Sequence, residues 1–167
     1  MNLAVGDLVV YAAYGVGRIV AREKRVIAGR DQEIVVLELA HGLTVTLPLE
    51  RAIRQLRPPV DEADMGRVQR TLREAGTPSS DVWLKRRKET QAKLKGGRPL
   101  ELAEVVRDGA QRVRALAARP SKPQLSPGER DLYVRARRLL SEEIRVVRGI
   151  KEADADAWID EQLGPTS

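Results

Sequence analysis

The run Trp83-Leu84-Lys85-Arg86-Arg87-Lys88 joins a large aromatic ring to the densest cluster of cations in the sequence. Aromatic side chains are scarce elsewhere, with two Trp, three Tyr and no Phe in 167 residues. A ring flanked by Lys and Arg can stack on or wedge beside nucleic-acid bases while the cations hold phosphates. On a helix starting near Ser80, Trp83 falls in the first turn, at an exposed tip, and no apolar residue stands between Leu84 and Ala92. The competing reading packs Trp83 into a helical core and leaves Lys85, Arg86, Arg87 and Lys88 as a solvated face. Residue types alone leave both open.

Other chemistry has few tools here. Cysteine is absent, which removes disulfides, thiolate metal sites and cysteine nucleophiles together and fits a reducing cytosol. The single histidine, His41, stands beside Gly42 and reads as a hairpin residue without a second metal ligand or nucleophilic partner. Tyr14-Gly15-Val16-Gly17 lies between strands with no helix following, so it reads as a β-turn or bulge rather than a phosphate cradle. Glu142-Glu143 and the Asp154/Asp156 pair sit on arginine-rich helices and read as solvated faces, because acid–base work needs carboxylates converging on one cleft. Trp158 is surrounded by Asp154, Asp156, Asp160 and Glu161, which would repel phosphates, and it reads as core. No enzyme signature emerges, and neither a cofactor nor a metal is expected.

The charge distribution returns to the same stretch. Thirty Lys+Arg against 24 Asp+Glu give a net charge of +6 and a pI near 10.0, a balance that favours acidic partners. Residues 81–98 carry seven basic and two acidic side chains, which accounts for nearly all of the excess. Hydrophobic residues make up 42% and charged residues 32%, the composition of a packed protein, and mean hydropathy is −0.38 with no run long enough to span a membrane. No basic segment leads into an apolar one at the N-terminus, so no secretory signal is expected.

Two halves with different periods must position these residues. Residues 1–57 read as β, in short β-branched runs at Leu8–Tyr11, Val16–Val20, Val26-Ile27, Ile34–Leu39 and Leu43–Pro48, with Ala28–Asp31 and His41-Gly42 as turns. Five strands in so short a segment suit a small antiparallel barrel of Tudor or SH3 type. Pro58-Pro59 stops the pattern, and residues 61–163 have helical period. Met65, Val68, Leu72 and Ala75 form one stripe. A second helix runs from near Ser79-Ser80-Asp81 to Gly96-Gly97. A third, after Pro99, places Leu102, Val105, Val106, Gly109, Val113 and Leu116 on one face. Ser126-Pro127-Gly128-Glu129 reads as a capping box with proline at the first helical position, ahead of Leu132, Ala136, Leu139, Leu140, Ile144 and Val147. A last helix offers Ala155, Trp158, Ile159 and Leu163. The expected class is α+β with two domains, a β-barrel followed by a bundle of about five helices.

Three passages in this order resemble the CarD/CdnL-like bacterial transcription regulators. They are Val5–Tyr11 with Tyr14-Gly15-Val16-Gly17, the Trp83–Lys88 run, and Leu102-Ala103-Glu104-Val105-Val106-Arg107-Asp108. The resemblance implies an N-terminal Tudor-like domain that docks on the RNA polymerase β subunit, as the related module of the transcription-repair coupling factor does. It also implies a helical domain that meets promoter DNA at the upstream edge of the transcription bubble. The family's wedge tryptophan, which enters the minor groove, falls at Trp83, and the backbone-contacting basic residues fall at Lys85, Arg86, Arg87 and Lys88. Of the polymerase contact, one basic position matches Arg25, and a second, basic in some members, falls at or near Thr46, which carries no charge. A cytoplasmic protein is expected, reaching the nucleoid through polymerase, with a monomer as the default state. The alternative is a free-standing Tudor/SH3-like nucleic-acid binder that acts without polymerase.

Overall fold

The computed structural model describes residues 2–76 and 83–164. The chain divides between Pro59 and Val60 into two compact units.

The first unit is a five-stranded antiparallel sheet. Its strands are β1 (Leu8–Tyr11), β2 (Gly15–Ile27), β3 (Arg30–Leu39), β4 (Thr44–Pro48) and β5 (Leu56–Arg57), in the order β4-β3-β2-β1-β5. A short helix, α1 (Leu49–Gln55), packs on β3 through Ala52 and joins the two edge strands, β4 and β5. Val9, Ile19, Val35, Leu37, Leu47, Ala52 and Leu56 form the core of this Tudor-like unit. The expected count of five strands is met with different members. The runs expected at Val16–Val20 and Val26-Ile27 are one continuous strand, β2, whose register against β3 shifts between Ile19 and Ala21. The fifth strand is Leu56–Arg57, which the sequence pattern did not mark. Missed as well was α1, since seven residues with only Ala52 buried carry no readable period.

Two backbone features shape this sheet. Ala28 and Gly29, at φ of 51° and 77°, form a two-residue turn between Ile27 and Arg30, and paired positive φ values match the twist of an antiparallel hairpin. Gly17 sits where a Cβ would stand 3.0 Å from Leu39 Cδ2, so it serves close strand approach rather than anion binding. His41 is an exposed residue of the β3–β4 turn.

The second unit is a bundle of α2 (Glu62–Arg73), α3 (Trp83–Gly96), α4 (Pro99–Ala117), α5 (Pro127–Arg148) and α6 (Glu152–Leu163). Asp61 caps α2 by accepting from the Asp64 amide at 2.7 Å. The Ser126–Glu129 capping box is present at the start of α5, with Pro127 in its first turn. Met65, Val68, Leu72, Leu102, Val106, Leu132, Leu139, Leu140, Ile144 and Ile159 fill a shared core. Ala75 and Val113, expected on buried stripes, are exposed: Ala75 lies beyond the end of α2, and Val113 stands out of the core on α4 between buried Ala110 and Leu116. The start of the second helix at Ser79-Ser80-Asp81 lies outside the described residues.

Polar groups close the bundle. Gln162 Oε1 accepts from Gln69 Nε2 at 3.0 Å and Arg73 Nε at 2.9 Å, joining α2 to α6. Arg114 donates to the carbonyls of Leu163 and Gly164 at 2.9 and 3.0 Å, capping the C-terminus of α6 from α4. Asp156 and Asp160, with 2.7 and 2.6 Å contacts, clasp Arg137 of α5. Asp156 is therefore a clasp between helices and not merely a solvated charge. Trp158 packs against the core with Arg148 over its ring at 4.9 Å.

Gly109 sets how closely α4 and α5 approach, because a methyl there would overlap the Tyr133 ring. That ring is pinned by its hydroxyl, which accepts from Arg137 Nη1 at 3.3 Å. Gly109→Ala gains about 1 kcal/mol of helix propensity, while overpacking costs about 1–3 kcal/mol. Because the Cβ would stand only 2.3 Å from the Tyr133 ring, the clash wins, and the variant should lose up to about 2 kcal/mol of stability in urea titrations. Unchanged or greater stability would show that Tyr133 yields freely.

Candidate nucleic-acid interface

α3 is almost without an apolar face. Leu94 is its one buried hydrophobic side chain, and Trp83 is half-buried against the bundle core. Spacings of three and four residues place Trp83, Arg86, Thr90, Lys93 and Leu94 on the inner face. Leu84, Lys85, Arg87, Lys88, Gln91, Ala92 and Lys95 are exposed on the outer face. The inner face is held largely by charge. Lys93 Nζ meets Glu104 of α4 at 2.7 Å, and Arg86 Nη2 donates to Glu129 Oε1 of α5 at 2.9 Å.

The structure thus separates residues that are contiguous in sequence. Lys85, Arg87 and Lys88 lie together on the outer face, with Leu84, 66% exposed, among them. The Arg86 side chain is only 12% exposed and points the other way. Trp83 is not the freely exposed tip expected from its place in the first turn. A Cβ on Gly128 would stand 3.3 Å from its Cζ2, and the Arg86 guanidinium lies 5.7 Å from its ring centroid. The ring packs on the bundle, three of the four cations are exposed, and Arg86 is turned inward. A cavity of about 300 Å³ beside the ring is walled by Arg86, Val105, Arg112, Glu129 and Tyr133 among others.

Glu129 is the residue that sequence reasoning missed. It reads there as a capping-box acid and nothing more, because its partners are 17 and 43 residues away. Oε1 accepts from Arg86 Nη2 and from Arg112 Nε, each at 2.9 Å, while Oε2 accepts from the Ser126 amide at 3.3 Å. Burial alone would raise its pKa. The hydrogen bonds from Arg86 and the Ser126 amide, with the charge and hydrogen bond of Arg112, outweigh that and hold the carboxyl below its ordinary value.

In the other unit, Arg25 is exposed on β2 and its guanidinium meets Glu23 Oε2 at 2.9 Å. Thr46 is exposed on the edge strand β4. Thr46 pairs with Val36 and Val36 with Ala21, and Arg25 lies four residues beyond Ala21 on β2. Arg25 and Thr46 therefore share one face of the sheet, opposite the core face of Val35, Leu37 and Leu47. Among the described residues, no group of three or more acidic, His or Cys side chains could hold a metal ion, and no helix is long and apolar enough to cross a membrane.

A family model described as the CarD C-terminal domain matches residues 67–160, and a CarD-like/TRCF RID domain matches residues 3–60. The chain belongs to the CarD family. It is also similar to the "Putative transcription factor YdeB" of Bacillus subtilis (strain 168), at 27% identity over 150 residues covering 89% of this chain and 94% of that protein. CarD membership associates the chain with transcription regulation and with RNA polymerase, in a family of transcription factors rather than enzymes. The two matches divide near the boundary between the β unit and the helical unit of this CarD-family chain.

Because the folded pKa of Glu129 is depressed, its contribution to stability is full above the unfolded value near 4.5 and is lost as pH falls through the folded value. Glu129→Gln should therefore flatten the stability–pH curve below about pH 4.5, while the two proteins run parallel from pH 5 to 8. Urea titrations across pH 2.5–7 check this, and identical acid slopes would mean that the carboxylate is not held by its arginines.

Proposed function

We propose that this protein docks on the β subunit of RNA polymerase through the Tudor-like unit, residues 1–57, and stabilises the promoter open complex through the helical unit, residues 61–163. The reading is carried by α3, whose outer face exposes Lys85, Arg87 and Lys88 while the half-buried ring of Trp83 stands in its first turn. Trp83 sits at the upstream edge of the bubble, in the minor groove at the double-strand/single-strand junction. A group that binds the melted junction better than the closed duplex shifts the equilibrium by its differential affinity, and each 1.4 kcal/mol of difference is about tenfold.

The cations supply a grip without sequence preference. Lys85, Arg87 and Lys88 meet phosphates, which position the protein but carry no base information. Arg86, bound to Glu129, contributes from behind the ring rather than at the backbone. On the β unit, the face shared by Arg25 and Thr46 meets the polymerase, with Arg25 as its charged contact. Tethering by polymerase raises the local concentration of DNA, so a weak DNA grip suffices.

Trp83→Ala should leave polymerase affinity unchanged and shorten the lifetime of open promoter complexes towards that without the protein. Since the ring is half-buried, the variant should also lose about 1–3 kcal/mol of stability, less than a fully buried tryptophan would. An unaltered open-complex lifetime would refute the wedge.

Free-duplex binding should be weak, with log affinity falling against log salt at a slope of roughly −2 to −3, for two or three phosphate contacts. Replacing Lys85, Arg87 and Lys88 by Gln should flatten that slope, whereas a slope steeper than about −6 with tight binding would indicate a free-standing DNA-binding protein. Arg25→Glu should weaken pull-down of the polymerase β subunit with the β-sheet signal intact. Undiminished capture would remove Arg25 from the contact.

A further inference from the structure

We infer that the first turn of α5, through Gly128 and Glu129, is the seat that fixes the position of Trp83. The inference rests on the proposed role of Trp83, but its geometry does not. Gly128 is the second residue of α5 and does not adopt a positive φ, so nothing in the backbone there requires glycine. Glycine is also an unfavourable residue within a helix. What uses it is the ring, whose Cζ2 would lie 3.3 Å from a Cβ at that position. The Trp83 edge lies over the Gly128 position, where a methyl group would crowd it.

Glu129 holds the same ring from a second side. Its Oε1 takes Arg86, three residues along α3 from Trp83 and therefore on the same helix face, and the Arg86 guanidinium lies 5.7 Å from the ring centroid. Arg112 of α4 binds the same oxygen at 2.9 Å, and the Ser126 amide binds Oε2. One carboxylate thus ties α3 and α4 to the start of α5 at the point where the ring lies. Gly128 and Glu129 are positioning residues. They need not touch DNA, and they set where the ring stands before DNA arrives.

The test uses the full chain in a Trp158→Phe background, so that fluorescence reports Trp83. Gly128→Val pushes a branched side chain into the ring's place. Glu129→Gln keeps an acceptor for the capping box but removes the charge that holds Arg86. Ser126→Ala breaks the cap while leaving both arginine contacts, and so reports the effect of lost helix stability alone. The seat predicts acrylamide quenching of Trp83 raised about twofold in Gly128→Val and in Glu129→Gln and unchanged in Ser126→Ala. Open-complex lifetime should fall several-fold in the first two at unaltered polymerase affinity. Quenching at the starting level in either of the first two variants, or an equal rise in Ser126→Ala, overturns the seat. If quenching responds as expected while Trp83→Ala leaves the open-complex lifetime untouched, the seat stands and the promoter role of Trp83 falls.

Discussion

A helix whose exposed face is given over to cations has little apolar surface left with which to hold itself down. α3 meets this constraint with Leu94, part of Trp83, and two ion pairs, Lys93–Glu104 and Arg86–Glu129. The Arg86 and Glu129 side chains are 12% and 11% exposed, so their attraction is far less screened than that of a surface pair. Desolvation opposes such pairs, and they hold when the remaining lone pairs are satisfied. Here both carboxylate oxygens are in use, one by two arginines and the other by the cap amide. Removing the carboxylate would leave two partly buried guanidiniums without this partner, which is why the node matters more than its single residue implies.

The rest of the bundle makes that node rigid. Arg112 reaches Glu129 from α4, whose distance from α5 is set by Gly109 against Tyr133. Tyr133 is held in turn by Arg137, and Arg137 by Asp156 and Asp160 of α6. Gln111 ties α4 to the chain just after α2, accepting from the Gly76 amide at 2.8 Å. Polar contacts are directional where hydrophobic ones are not, so this succession fixes orientation while the apolar core supplies the bulk of the driving force.

How much of this was legible in the sequence follows from the range of the interactions. The helices α2, α4, α5 and α6 were readable because each buries a stripe whose spacing is a local property of the chain. The capping box was readable for the same reason, since its partners lie three residues apart. The continuity of β2 was not, because its outer half, Arg22–Ile27, is exposed and carries no inside–outside alternation to read. The Trp83 cluster announced itself by composition, and the likeness to CarD proteins followed from its neighbours in order. Which of the four cations points outward was open until α3 acquired a back, and that back is made by Glu129, 43 residues from Arg86. A pairing of that separation leaves no periodic trace.

The outward set of Lys85, Arg87 and Lys88 has a consequence for how such a protein can work among competing DNA. Non-specific affinities of this electrostatic kind correspond to Kd values of about 10⁻⁴ to 10⁻⁶ M. On the proposed docking, a short tether gives an effective concentration of about 1 mM, so even the weak end of that range would fill the promoter site roughly ten to one. Additional outward arginines would raise affinity for every duplex segment equally, and the great excess of non-specific sites would then compete with the polymerase-bound one. Turning Arg86 inward subtracts a phosphate contact and converts its charge into orientation for the ring. On the proposed reading, the grip lost in this way is made up by the tether, and what is gained is a fixed ring on which discrimination between melted and closed DNA would depend.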